Sequence, residues 1–458
     1  MKKRVAVIGA GLCGSLLSTL LRNEFDVTVI EQGKRKRPLF DDVECNSGEL
    51  NTSINRAEGL GGTTNYWHNA LIELDDKDLR KAGIEPRGFE KYYAKGWTFF
   101  LSEDEVAECN RARDANAKSV ENNKCTVGHM VLPQSRANVW KLANAKYPGA
   151  EIKVVYGHAE KVVKGENGGR GHVLVNSENG TQRIEADYFL FCGGGLGTPV
   201  LLAKSFGKDS SFVSGYHDHP MAYVAKVKLR EGSRLKAISC TTTKSTEVRA
   251  GLVYESEDLK TVVYLRPAID MRLSSITGAA RYILSDLRND PFSIKKIMLL
   301  LGNLEAVREA ILFKTKLGFR GEYFSVLILG EQTPIPSRGV QLRPGRKPTL
   351  NWHVTKEELA SYENSVNQFF DEFGADILEK KVLPTNEWNF RNAAHHSGTA
   401  NEYVDMPGDT SLEFFAVKDL PNAFVLDGSI LRAAGIANSG LTLVALGYRL
   451  AELLKAQR

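Results

Sequence analysis

The chain has 458 residues, of which 42% are hydrophobic, 25% charged and 9% aromatic, and 60 basic against 55 acidic side chains leave a formal net charge of +5. These proportions exclude disordered and fibrous architectures, and a charge this dilute gives no basis for a nucleic-acid partner. At roughly 150 residues per domain, the length allows about two to four domains.

Six cysteines (Cys13, Cys45, Cys109, Cys125, Cys192 and Cys240) form no C-x-x-C pair, and none stands at ligand spacing from a histidine. This argues against a disulfide scaffold and against a zinc site, so no metal is expected. Glycine, at 41 residues, is the one excess, and its clusters mark places where backbone must come close to something.

Val5-Ala6-Val7-Ile8 follows Met1-Lys2-Lys3-Arg4 directly and is far too short for a signal-peptide core. No stretch reaches the roughly 18 apolar residues of a spanning helix, and with the cysteine pattern this predicts a cytoplasmic protein. The tetrapeptide reads as a buried parallel strand. It runs into Gly9-Ala10-Gly11-Leu12-Cys13-Gly14, a helical pattern from Ser15 to Arg22, and a second strand, Val27 to Ile30, that ends in Glu31. Strand, G-x-G-x-x-G, helix, strand and terminal acid together predict a dinucleotide site. Gly9 allows the tight turn, Gly11 the approach of a pyrophosphate, and Gly14 close helix–strand packing. The helix N-terminus turns free N–H groups on the phosphates, and Glu31 is expected to accept the ribose hydroxyls. The basic run Lys34 to Arg37 would suit a 2′-phosphate, but Glu31 would repel one, so a solvated loop is expected there.

Gly59-Leu60-Gly61-Gly62-Thr63-Thr64-Asn65-Tyr66-Trp67-His68-Asn69 has no helical or strand period and suits a second backbone contact with a cofactor. Farther on, Ala186 to Cys192 reads as a buried strand that enters Gly193-Gly194-Gly195-Leu196-Gly197-Thr198-Pro199, with helix from Val200 to Ser205. Then come Asp218-His219-Pro220, Pro336-Ser337-Arg338-Gly339, His395-His396-Ser397-Gly398-Thr399 and Asp427-Gly428-Ser429. Asn438-Ser439-Gly440-Leu441-Thr442 opens a last helix, Leu441 to Lys455.

In this order the motifs resemble those of the glucose-methanol-choline (GMC) family of flavin oxidoreductases, over nearly the whole chain. The tryptophan of the second loop makes that segment similar to the pyranose oxidase branch. The resemblance implies an α/β (α+β overall) fold: a Rossmann-like FAD-binding domain with an inserted antiparallel-sheet substrate domain. It divides the chain into FAD-binding segments at 1–100, 146–220 and 395–458, a substrate-side or lid segment at 101–145, and a substrate domain at 221–394.

The resemblance also implies oxidation of a CH–OH group by proton removal and hydride transfer to flavin N5. His395 would be the base, with His396 as the other candidate, and Asn438 would hold the same oxygen. The helix after Asn438 would turn its positive end toward the flavin. Expected cofactor contacts are Gly9, Gly11, Gly14, Glu31, Gly61, Gly62, Thr63, Thr64, Tyr66, Val162, Cys192, Asp427, Gly428 and Asn438. Val162 falls where relatives bring backbone to the adenine.

Departures from the family pattern matter as well. Tyr66 stands where some relatives attach FAD to a histidine, with His68 two residues out of register, so FAD is expected to be non-covalent. Ala400-Asn401-Glu402 replaces the usual continuation of H-x-x-G-T. An alternative within the family is a lyase of the hydroxynitrile type, which keeps FAD without net redox chemistry. The implied partners are a small alcohol, polyol or sugar and an electron acceptor outside the chain.

His217 and His219 read as packing residues at a domain junction. Lys295 to Phe319 mixes bulky apolar residues with Lys295, Lys296, Arg308, Lys314 and Lys316. It reads either as a helix pair buried on one face or as a basic amphipathic pair peripheral to the inner face of a membrane, which would suit a lipid-linked substrate.

Overall fold

The computed structural model describes the chain except at positions 40–41, 47–55, 122, 134–136, 166–169, 240, 243–245, 257, 273–274, 279, 281–282, 285–293, 316, 318–320, 406–409 and 458. Cys240 lies outside the described residues, and the other five cysteines are free thiols.

Five parallel strands form the central sheet, in the order Ala423–Val425, Tyr188–Phe191, Arg4–Ile8, Asp26–Glu31, Lys153–Tyr156. Val5, Ala6, Val7 and Ile8 are all buried, because the first strand is central and both sheet faces are covered. Helix Leu12–Leu21 packs on this sheet and on helix Gly440–Ala456. It starts within the fingerprint, three residues before the helical pattern in the sequence, since glycine there conceals the first turn.

The second large sheet has eight strands and is antiparallel in its pairings. Strand Tyr323–Gly330 is buried along its whole length, between Leu259–Pro267 and Pro220–Leu229. Its side chains alternate between two clusters, as a period of two requires. Phe324, Val326 and Ile328 pack with Tyr362, Phe369 and Phe373 of helix Lys356–Phe373. Leu327 and Leu329 join Tyr223, Val253, Val262 and Tyr264 on the other face, with Met221, Ala393 and Ile436 against them.

The chain passes repeatedly between the two bodies. Thr126–Pro133, from the segment expected to be substrate-side, pairs with Thr246–Ser256 of the antiparallel sheet. Gly339–Gln341 and Thr349–Asn351, inside the stretch expected to be substrate domain, instead form a small sheet with Glu44–Asn46 and Phe212–Ser214. No helix among the described residues is long and apolar enough to cross a membrane.

Candidate active site

A cavity of about 920 Å³ lies where the parallel strands end. Its lining includes Ile8 to Cys13, Ile30 to Gln32, Cys192 to Gly197 and Asp427, all at or just beyond strand ends. This is the crevice in which open α/β sheets bind ligands. Gly62 to Thr64, Tyr66, Trp67 and His68 of the second glycine loop line it too, as do Gly157 to Ala159, Met221, Arg391 to His396 and Asn438 to Gly440.

The fingerprint turn is fixed by sterics. Gly9 has φ 101°, and a methyl on Gly14 would overlap the Gly9 carbonyl oxygen, so strand and helix meet at backbone distance. A methyl on Gly11 would meet nothing within 4 Å, which leaves open space above the turn. Glu31 is buried and accepts backbone N–H groups from Ala10 (2.9 Å), Gly33 (3.1 Å) and Gly59 (2.9 Å). Its carboxylate thus ties the two glycine loops together, with about one of its four acceptor positions left for a ligand.

Asp427 has a similar role at the other glycine turn. It is buried and accepts from Gly194 N (2.8 Å), Thr198 Oγ1 (2.5 Å), Ser429 N (2.9 Å) and Ser429 Oγ (2.5 Å). Burial pushes its carboxyl above the ordinary range despite these donors. With the Gly194 amide held this way, the helix begins at Gly194, six residues before the Val200 start expected from sequence. Methyl groups on Gly195 or Gly428 would overlap the His396 carbonyl oxygen, so these two glycines fix the backbone that carries the histidine pair.

The histidines form a directed network. His219 Nε2 lies 2.8 Å from the Gly435 carbonyl oxygen, and its Nδ1 lies 2.9 Å from His395 Nδ1. A carbonyl only accepts, so Nε2 of His219 carries the hydrogen, and its bare Nδ1 accepts from the Nδ1–H of His395. In neutral His395 the lone pair is therefore on Nε2, which has no protein partner among the described residues. Ala394, just before it, has φ 60°, an uncommon conformation that turns the chain at this point.

His396 Nδ1 lies 2.7 Å from Tyr216 Oη, which donates to Asp218 Oδ2 at 2.9 Å, and His396 Nε2 is buried without a partner. Asp218 also accepts the amides of His219 (2.7 Å) and His395 (2.9 Å). Burial opposes ionisation of Asp218, yet hydrogen-bonded His396 and the neighbouring His395 and His219 hold its carboxyl well below the usual range. Burial, with a smaller contribution from His219, drives His395 down to about 3. Burial likewise takes His217 down to about 4 and lowers His219.

These rings stay neutral in the fold but take protons near pH 6.5 once unfolded, so below that pH the unfolded state binds more protons. Their contribution to stability is complete above about pH 6.5 and is lost as pH falls toward about 4. Denaturant midpoints measured between about pH 7 and pH 5 should fall steadily with pH, and a flat series would contradict neutral burial.

The cavity brings together Gly9, Gly11, Glu31, Gly62, Thr63, Thr64, Tyr66, Cys192, Asp427, Asn438, His395 and His396. Gly14, Gly61, Gly428 and Val162 are not part of the lining. Val162 is buried, with its amide on Ser205 Oγ (2.9 Å), and Gly157, His158 and Ala159 line the cavity instead, because the strand His158–Val163 leads away from it. Sequence reasoning missed Tyr216, Asp218 and His219 as supports of the histidine pair. Their only sequence signal is the Asp-His-Pro tripeptide before a strand, and its meaning depends on a contact across more than 170 residues. Asp218, His219 and His395 also offer ligand atoms within 4.8 Å of one another, but the hydrogen bonds above already occupy the groups a cation would need.

No family model matches the chain. The 2-methyl-1,2-propanediol dehydrogenase of Mycolicibacterium austroafricanum is 26% identical over 139 residues, a match that covers 28% of this chain and 24% of the relative. The fold is that of several solved structures. Pyridoxine 4-oxidase from Mesorbium loti superposes with a TM-score of 0.61 at 15% identity, over 98% of each chain. A formate oxidase variant from Aspergillus oryzae RIB40 gives 0.60 at 15%, over 100% of this chain and 99% of that one. An FAD-dependent oxidoreductase from Chaetomium thermophilum gives 0.57 at 14%, over 99% of both.

Proposed function

We propose that this chain is an FAD-dependent oxidoreductase of the GMC kind that oxidises a CH–OH group. The observation that carries the proposal is the bare Nε2 of His395, on the wall of the same cavity as the fingerprint glycines. The residues present suit FAD. Open space above Gly11 leaves room for a pyrophosphate, Glu31 has an acceptor position for a ribose hydroxyl, and the buried, unpartnered Nε2 of His396 faces a need for a polar neighbour. Helix Gly440–Ala456 has no side-chain cap, so its first amides are available to negative charge in the cavity. Tyr66 in place of a histidine supports non-covalent binding.

Bound FAD supplies the acceptor for the hydride of the alcohol carbon. The protein's part is to hold the alcohol and take its proton. His395 is neutral at working pH, its tautomer is set by His219 and Gly435 O, and Nε2 receives the hydroxyl proton. Asn438, whose side chain has no protein hydrogen bond among the described residues, orients the same oxygen. Met221, Ala393 and Ala394 line this part of the wall together with Arg391 and Asn392, so an alcohol there meets both apolar and polar surface.

Anaerobic mixing of the purified yellow protein with a panel of alcohols tests this. Bleaching of the oxidised flavin spectrum by at least one alcohol is expected. Product without bleaching would point to a lyase, and neither bleaching nor product across the panel would count against CH–OH oxidation.

A further inference from the structure

The two helices Ile294–Leu301 and Leu304–Thr315 present an apolar surface to solvent. Among the described residues eleven large hydrophobic side chains are exposed, and eight of them lie between Leu284 and Leu317. Ile294, Ile297, Met298 and Leu301 recur at helical spacing and are 77%, 37%, 63% and 60% exposed, and Leu304 is 81% exposed. A helix that packs on its own protein turns such a stripe inward, whereas this one turns it out. The second helix is anchored by the opposite face. Ala306 packs with Ala280 and Ile283, and Glu309 is buried with Ser275 Oγ on its carboxylate (3.0 Å).

Charge decides what covers this surface. Positions 294–317 carry five basic and two acidic residues, Lys295, Lys296, Arg308, Lys314 and Lys316 against Glu305 and Glu309. The side chains of Lys295, Lys296 and Lys316 lie outside the described residues; among the described ones, Arg308 and Lys314 are exposed against Glu305, and Glu309 is turned inward. Exposed large apolar residues flanked by cations suit the boundary between acyl chains and anionic headgroups. Leu284 is exposed and lines the cavity, and its neighbour Ile283 packs with Ala306 of the second helix, which ties this helix pair to the cavity rim.

We infer that the helix pair Ile294–Leu301 and Leu304–Thr315 docks on an anionic lipid bilayer and sets the rim of the cavity at Leu284 against the lipid. Docking needs no turnover, so it stands or falls separately from alcohol oxidation. The full chain should co-sediment with phosphatidylcholine vesicles containing about one-third phosphatidylglycerol, and bind less to phosphatidylcholine alone or at high salt. The triple substitution Met298→Gln, Leu301→Gln, Leu304→Gln should reduce the bound fraction about tenfold or more, with thermal unfolding and flavin absorbance unchanged. Failure of the parent chain to bind anionic vesicles, or equal binding by the variant, would overturn the inference. So would a parent dimer that the substitutions convert to monomer while neither form binds lipid, since the face would then join two copies of this chain.

Discussion

His395→Ala should lower the rate of flavin reduction by alcohol about 10²–10⁴-fold while the protein stays yellow and folded, the range expected when a positioned proton acceptor is removed. The reason lies in the direction of the hydrogen bonds. Gly435 O fixes His219, His219 fixes His395, and only Nε2 of His395 is left to take a proton. Its low basicity, down to about 3 through burial, keeps that lone pair bare at any working pH above mild acid. His396 also keeps an unpartnered Nε2, with its Nδ1 engaged by Tyr216, so His396→Ala measured alongside separates the two candidates. Stopped-flow reduction of the variant and the parent at equal cofactor content measures the effect. Equal rates would remove His395 from the role of base.

Gly14→Ala should destabilise the fold and empty the cofactor site together. In a helix, alanine is favoured over glycine by about 1 kcal/mol. Here the added methyl would overlap the Gly9 carbonyl oxygen, and that turn cannot yield easily. Gly9 N is bonded to Ile30 O at 2.8 Å, and Ala10 N to Glu31 at 2.9 Å. Overpacking against fixed backbone costs about 1–3 kcal/mol or more, so the net effect is a loss. The expected result is a lower melting temperature and protein that purifies colourless. Gly11→Ala separates the two effects, since its methyl enters open space: it should melt as an apoprotein like the parent, yet bind flavin weakly. A yellow Gly14→Ala protein of parental stability would refute this account.

Three strands of the parallel sheet, at Arg4–Ile8, Asp26–Glu31 and Tyr188–Phe191, were legible in the sequence, because continuous apolar runs beside glycine or a terminal acid are a local signal. Val5 to Ile8 and Tyr188 to Phe191 are buried on both faces, and their sequences say so without reference to any other part of the chain. The start of helix Gly194–Ser205 was not legible. Three glycines and a proline argue for a loop there, and the carboxylate that organises the turn, Asp427, is more than 200 residues away. The same limit hid the partners of the histidine pair. His395 could be found from its spacing to Gly398 and Thr399, but the side chain that sets its tautomer arrives from position 219. Glu31 was legible as a ligand residue, while its three backbone contacts, including one to Gly59, depend on how two loops meet.

The order of strands in the parallel sheet bears on how the protein is made. Its edge strand, Ala423–Val425, is synthesised more than 230 residues after its neighbour, Tyr188–Phe191, and Asp427, which holds the Gly194 turn, follows that strand. On the ribosome, the fingerprint turn emerges early but must wait for the strand at 423–425, more than 400 residues later, before the crevice around it has walls. A ligand that needs both glycine turns in place can therefore settle only after Asp427 has emerged.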